Sequence, residues 1–138
     1  MQPEMISIKH RYTGKTIYQS TKATLEEAVV EAIRKNISLR GADLEGTNFI
    51  NVDFSGVDFS GVNFSGVNFI SVNLKDTNFN GANLNTATFD DTNCINADFS
   101  YANLYGATFL SAYLYGAVFK NANRIGTNID GADFNKKD

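Results

Sequence analysis

From Ile37 to Phe134 the chain keeps a period of five without a single insertion, and no other feature restricts its fold so tightly. Set the large residue of each five at position i. It is then Leu39, Leu44, Phe49, Phe54, Phe59, Phe64, Phe69, Leu74, Phe79 and so on to Arg124, Ile129 and Phe134, and all 11 phenylalanines share this register. Position i−2 is always Ala, Val, Thr or Ile, position i−1 is mostly Asn or Asp, and every glycine except Gly14 sits at i+2.

A helix cannot use this pattern, because at 3.6 residues per turn a five-residue step leaves no apolar stripe. An extended segment can, since i−2 and i share one face while i−1 and i+1 share the other. Five is odd, however, so an uninterrupted strand would turn the next large residue outward. The chain must therefore bend in every repeat, and Gly or a small polar residue at i+2 permits the bend. Bends of one sense coil the chain around its own large side chains. The coils then pair as parallel strands about 4.8 Å apart, and the rule for parallel crossovers makes the coil right-handed.

The units Ala42-Asp43-Leu44-Glu45-Gly46, Val57-Asp58-Phe59-Ser60-Gly61 and Ala82-Asn83-Leu84-Asn85-Thr86 resemble the pentapeptide-repeat family, whose consensus reads A(D/N)LXX. The resemblance covers about the last hundred residues. It implies an all-β solenoid, a right-handed quadrilateral parallel β-helix with four repeats per coil and about five coils. Residues twenty apart then stack, as in the column Leu39, Phe59, Phe79, Phe99, Phe119. Cys94 falls inside another, between Leu74 and Leu114.

Two regions follow: a cap over 1–36 and the β-helix over 37–138. In the cap, Ile6, Ile8 and His10 alternate before Thr13-Gly14 and Ile17, which predicts a β-hairpin turning near Gly14. Thr24 and Glu27 form a capping-box pattern that opens a helix to about Lys35, with Asn36 as its stop. Its apolar face is Leu25, Ala28, Val29, Ala32 and Ile33. Solenoids need covered ends, so this small hairpin plus α-helix is expected to close the first coil.

Net charge is −3, unevenly divided, with a mildly acidic solenoid that does not suit direct binding to nucleic acid. The sequence holds no membrane-spanning run and no signal-peptide pattern at Met1-Gln2-Pro3-Glu4-Met5, so the expected location is cytoplasmic. One cysteine and one histidine provide neither a nucleophile–base pair nor a metal cluster. The expectation is a non-enzymatic protein with no cofactor and no metal, and Cys94 as an inert core residue.

Three sets of outward residues are candidates for recognition. Tyr101, Tyr105, Leu110, Tyr113 and Tyr115 form an apolar girdle of the kind found at interfaces with a protein partner. Asp53, Asp58, Asp76, Asp90, Asp91 and Asp98 add charge to the faces and corners. Similarity to the quinolone-resistance branch of the family implies, as the alternative to a scaffold, a rod imitating duplex DNA that engages DNA gyrase or another type II topoisomerase. The third set is the C-terminal end, Phe119, Arg124, Ile129 and Phe134, where Arg124 occupies a core position. A guanidinium is tolerated there only if the end is open and its head reaches water, with Asp130 and Asp133 nearby. This end is expected to form a weak two-fold homodimer or to be kept solitary by its charges.

Overall fold

Alternating apolar residues produce the first elements of the computed structural model, which describes residues 4–136. Strands β1 (Ile6–Lys9) and β2 (Thr16–Ser20) pair antiparallel, with Ile6 opposite Ser20 and Ile8 opposite Tyr18. Gly14 takes φ 69° in the connection between them. Helix α1 (Leu25–Arg34) begins where the Thr24 hydroxyl accepts the N–H of Glu27 at 3.1 Å. It stops at Asn36, which takes φ 58°. The N–H of Asn36 bonds the Ile33 carbonyl and that of Ile37 bonds the Ala32 carbonyl, the paired closure of a Schellman motif.

The repeats bend as the period requires. Parallel bridges join residues twenty apart, from Asp43 and Asn63 to Tyr113 and Asp133, so the chain returns to the same face after four repeats. Between circuits, the N–H at position i meets the carbonyl of i−1 in the next circuit, as from Leu44 to Asn63 and from Phe79 to Asp98, each 2.8 Å. At the corners, position i+2 lies at positive φ whether it is Gly61, Asn96, Thr86 or Tyr101. The carbonyl at i then accepts the N–H three residues on, the arrangement of a type II turn. A β-branched Thr86 in this conformation shows tertiary pairing overriding local preference, for its N–H is held by the Tyr105 carbonyl at 2.8 Å.

Side chains at i−2 and i fill the interior. Phe79 stacks on Phe99 at 5.2 Å with a 5° interplanar angle, and Phe89 on Phe109 at 4.5 Å with 3°. Neighbouring columns meet edge to face, as Phe99 does Phe109 at 88°. Both geometries suit the ring quadrupole. Asn and Asp at i−1 have a local task. From Asp53 and Asp58 through Asn63, Asn78 and Asn103 to Asp133, the side-chain oxygen accepts the N–H two residues on.

The hairpin and α1 sit on the first circuit. His10 bridges Ala42, the Lys9 carbonyl accepts the Asp43 N–H, and the Arg11 N–H reaches the Gly41 carbonyl, the last two at 2.8 Å. The Glu26 carboxylate accepts the N–H of Asn48 at 2.9 Å. Ala28, Val29 and Ala32 join one core with Leu39, Leu44, Phe49 and Phe54, none of which is more than 2% exposed.

Candidate interaction surfaces

Among the described residues nothing covers the opposite end of the core. In the last circuit Phe119 is half-buried, stacked on Phe99 at 5.2 Å, while Ile129 is 48% and Phe134 51% exposed. Arg124 does what its position demands, with its side chain exposed at this end and no ion-pair partner among the described residues. Asp133 uses its carboxylate on the N–H of Asn135. The backbone N–H groups of Phe119, Arg124 and Ile129 find no acceptor among the described residues, although Phe99, Leu104 and Phe109 one circuit earlier are all bonded. Of the polar tail, Lys137 and Asp138 lie outside the described residues.

The girdle lies beside this end. Tyr101, Tyr105, Tyr113 and Tyr115 are 38% to 57% exposed, joined by Val118 and Ile125. Leu110 is half-buried and contributes less surface than its outward position suggests.

The carboxylates are dispersed and mostly committed. Asp53, Asp58 and Asp98 accept the N–H groups of Ser55, Ser60 and Ser100, and Asp90 accepts that of Leu110 one circuit on. Those bonds to Ser55 hold the Asp53 carboxyl below its usual range. Asp76 and Asp91 occupy positive-φ corners, a role the short acidic side chain tolerates. Asn78 bridges both Asp58 and Asp98, so those two carboxylates stand two circuits apart on their face.

Cys94 is fully buried, and burial pushes its thiol up to about 12 despite a contact with the Thr92 hydroxyl at 3.1 Å. His10 accepts the N–H of Tyr12 on Nδ1, and its ring lies so close to Gly41 that a Cβ there would meet it at 2.5 Å. Among the described residues no group of three His, Cys, Asp or Glu side chains is placed to hold a metal, and no helix is long and apolar enough to cross a membrane. Sequence reasoning missed an open corner at Phe49–Val52 beneath α1. Its Asn51 looks no different from Asn96 or Asn121 at closed corners.

Comparison with known proteins adds the family. A model of the pentapeptide repeat region matches residues 42–119. Among solved structures, a pentapeptide repeat protein from the thylakoid lumen of Arabidopsis thaliana aligns at 33% identity and a TM-score of 0.64, covering 67% of this chain and 64% of that one. Rfr23, from the cyanobacterium Cyanothece, aligns at 24% identity, also with a TM-score of 0.64 and coverage of 67% and 64%. HetL, described as involved in regulating heterocyst differentiation in Nostoc, aligns at 26% identity and a TM-score of 0.55, over 65% of this chain and 39% of its own. The chain thus spans just under two thirds of the first two. No curated protein matches its sequence.

Proposed function

Because the chain belongs to the pentapeptide repeat family, we propose that it acts without catalysis, as a rigid module that presents surfaces to other proteins. Its body is read as a right-handed, four-sided β-helix of about five coils, the hand following from the crossover rule. The hairpin and α1 serve as its cap. The observation that carries this reading is the contrast between ends: the core of the first circuit is covered by the cap, whereas the last exposes Ile129 and Phe134 together with the unbonded N–H groups of Phe119, Arg124 and Ile129. Large apolar side chains grouped around one end, continuous with four tyrosines, have the composition of an interface rather than of a solvated surface.

The partner for the open end is a second copy. The hairpin and α1 already occupy the core face of the first circuit, so a second copy cannot stack its last circuit there, and open end against open end remains, a closed two-fold contact. Arg124 and Asp130 are both exposed residues of the last circuit, so a two-fold contact can bring each against the opposite charge of the other copy. The tyrosine girdle lies outside this contact and presents exposed rings to a different protein. Light scattering across a concentration series tests the pairing. The expected mass rises from monomer towards dimer in the high micromolar range and stays monomeric in Ile129→Asp with Phe134→Asp. A wild-type mass fixed at monomer throughout refutes it.

A further inference from the structure

One corner of the first circuit is built differently from its neighbours. At the flanking corners the Thr47 N–H closes onto the Leu44 carbonyl and that of Val57 onto Phe54, while Gly46 and Gly56 bond Ser65 and Lys75 in the next circuit. Among the described residues neither closure occurs at Phe49–Val52: the N–H groups of Asn51 and Val52 have no acceptor and the Phe49 carbonyl has no donor, while the carbonyls of Asn48 and Ile50 are open as their counterparts are along this outer edge. Ile50 is 69% exposed on the same corner.

This corner faces a cleft. About 480 Å³ lies between it and α1, lined by Lys22, Val30, Arg34, Phe49, Ile50 and Val52 among others. A second hollow of about 270 Å³ shares Val30, Arg34 and Val52 and runs on to Asp53 and Phe54, so the two make one groove along the helix. Of the rim charges, Glu26 is engaged by Asn48 and Glu31 by the Tyr18 hydroxyl at 2.6 Å. Arg34 has no ion-pair partner among the described residues. One face away, the same circuit edge shows what it accepts: the extended Lys9–Arg11 segment, through the Asp43 N–H and the Gly41 carbonyl.

We propose that this groove binds an extended peptide segment of a partner protein. The peptide adds as a short strand, exchanging backbone hydrogen bonds with the open corner. One apolar side chain enters between Val30 and Ile50, and one carboxylate meets Arg34 in bidentate fashion. The site is separate from the C-terminal end and does not depend on the reading given for it.

A random seven-residue display library provides the probe. Selection is made on the wild-type chain, with counter-selection on Ile50→Asp and Arg34→Glu, both required to melt within a few degrees of wild type. The expected peptides pair an apolar residue with an acidic one and bind wild type at least tenfold more tightly than either variant. They shift the amide resonances of Asn51 and Val52. Backbone N-methylation of the same peptides abolishes binding, because side-chain adhesion survives that change and strand addition does not. The proposal is overturned if no peptide discriminates wild type from the variants, or if the shifts fall on residues 119–134. Equal binding by N-methylated peptides overturns it as well.

Discussion

The two ends of the repeat stack are made from the same kinds of residue and meet different fates. Phe54 and Phe134 occupy one column, at its first and last circuits, yet the first is 1% exposed and the second 51%. The difference comes from what lies beyond the periodic segment. At the N-terminal end the Lys9 carbonyl and the Glu26 carboxylate take N–H groups of the first circuit, and Ala28, Val29 and Ala32 cover its phenylalanines. At the other end nothing among the described residues packs over Ile129 and Phe134, and the core position at Arg124 is given to a charge. A repeat cannot bury its own large residue; only a neighbour on either side does so.

Truncation tests this most severely. Phe79→Ala, with rings stacked at 5.8 Å and 5.2 Å on its two sides, should cost roughly 3–5 kcal/mol in denaturant titration. Phe54→Ala should cost nearly as much, because α1 and its neighbours complete its shell. Phe134→Ala should cost less than about 1 kcal/mol, its ring being half in water already. Equal losses at Phe54 and Phe134 would mean that the ends do not differ.

Next in size is the seam between cap and first circuit. Gly41 and Gly66 have nearly the same φ, 71° and 68°, but a Cβ at Gly41 would strike the His10 ring while one at Gly66 meets nothing within 4 Å. Both alanine variants carry backbone strain of about 1 kcal/mol. Gly41→Ala should lose distinctly more, and hydrogen exchange should show the excess in residues 6–20. A uniform loss across the chain would mean that the seam is not a separate source of stability.

Much of this was legible from the residues. The phenylalanine register and the small residues at i−2 required inward-facing coils, and Asn36 marked the end of α1 because its side chain tolerates the left-handed turn. Arg124 announced an uncovered end, since no apolar column accommodates an unpaired guanidinium. Other features were not legible for definite reasons. Thr86 and Tyr101 occupy corners that intrinsic preference reserves for glycine, and only the pairing of their N–H groups with Tyr105 and Lys120 explains it. The open corner at Phe49–Val52 depends on three-dimensional neighbours, which a local sequence pattern does not encode. The carboxylates looked like a charged array, but their local bonds give most of them a structural reason to be present.

Acid should loosen the capped end before the open one. The Tyr18 and Ser20 hydroxyls, donating to the Glu31 carboxylate, hold its pKa below the ordinary glutamate range. A depressed carboxylate contributes stability above its unfolded value and loses it as pH falls through the folded one. Between those values the contacts of α1 with β2 should weaken, read as earlier amide exchange in residues 16–34, and Glu31→Gln should flatten that dependence. Matching pH profiles in wild type and Glu31→Gln would remove Glu31 from the seam.

The smallest expected effect concerns the faces between the two ends. Asp58 and Asp98 each accept one backbone N–H, from Ser60 at 2.9 Å and Ser100 at 2.8 Å. Asn63 and Asn78 accept the equivalent bond with a neutral side chain, at 3.1 Å and 2.8 Å. Asparagine should therefore substitute at both positions for less than about 0.5 kcal/mol. Arg40, whose Nε lies 3.8 Å from Asp58, is too exposed for that pair to contribute much. A scaffold needs only the turn that these residues close, so the double variant should keep its stability and its assembly through the C-terminal end. A rod imitating duplex DNA needs the charge itself. In that case the wild-type protein should inhibit gyrase supercoiling, and the double variant should relieve the inhibition with its melting curve unchanged. We expect no inhibition by wild type at tens of micromolar, because carboxylates two circuits apart, with Asn78 between them, do not reproduce the dense phosphate spacing of a duplex.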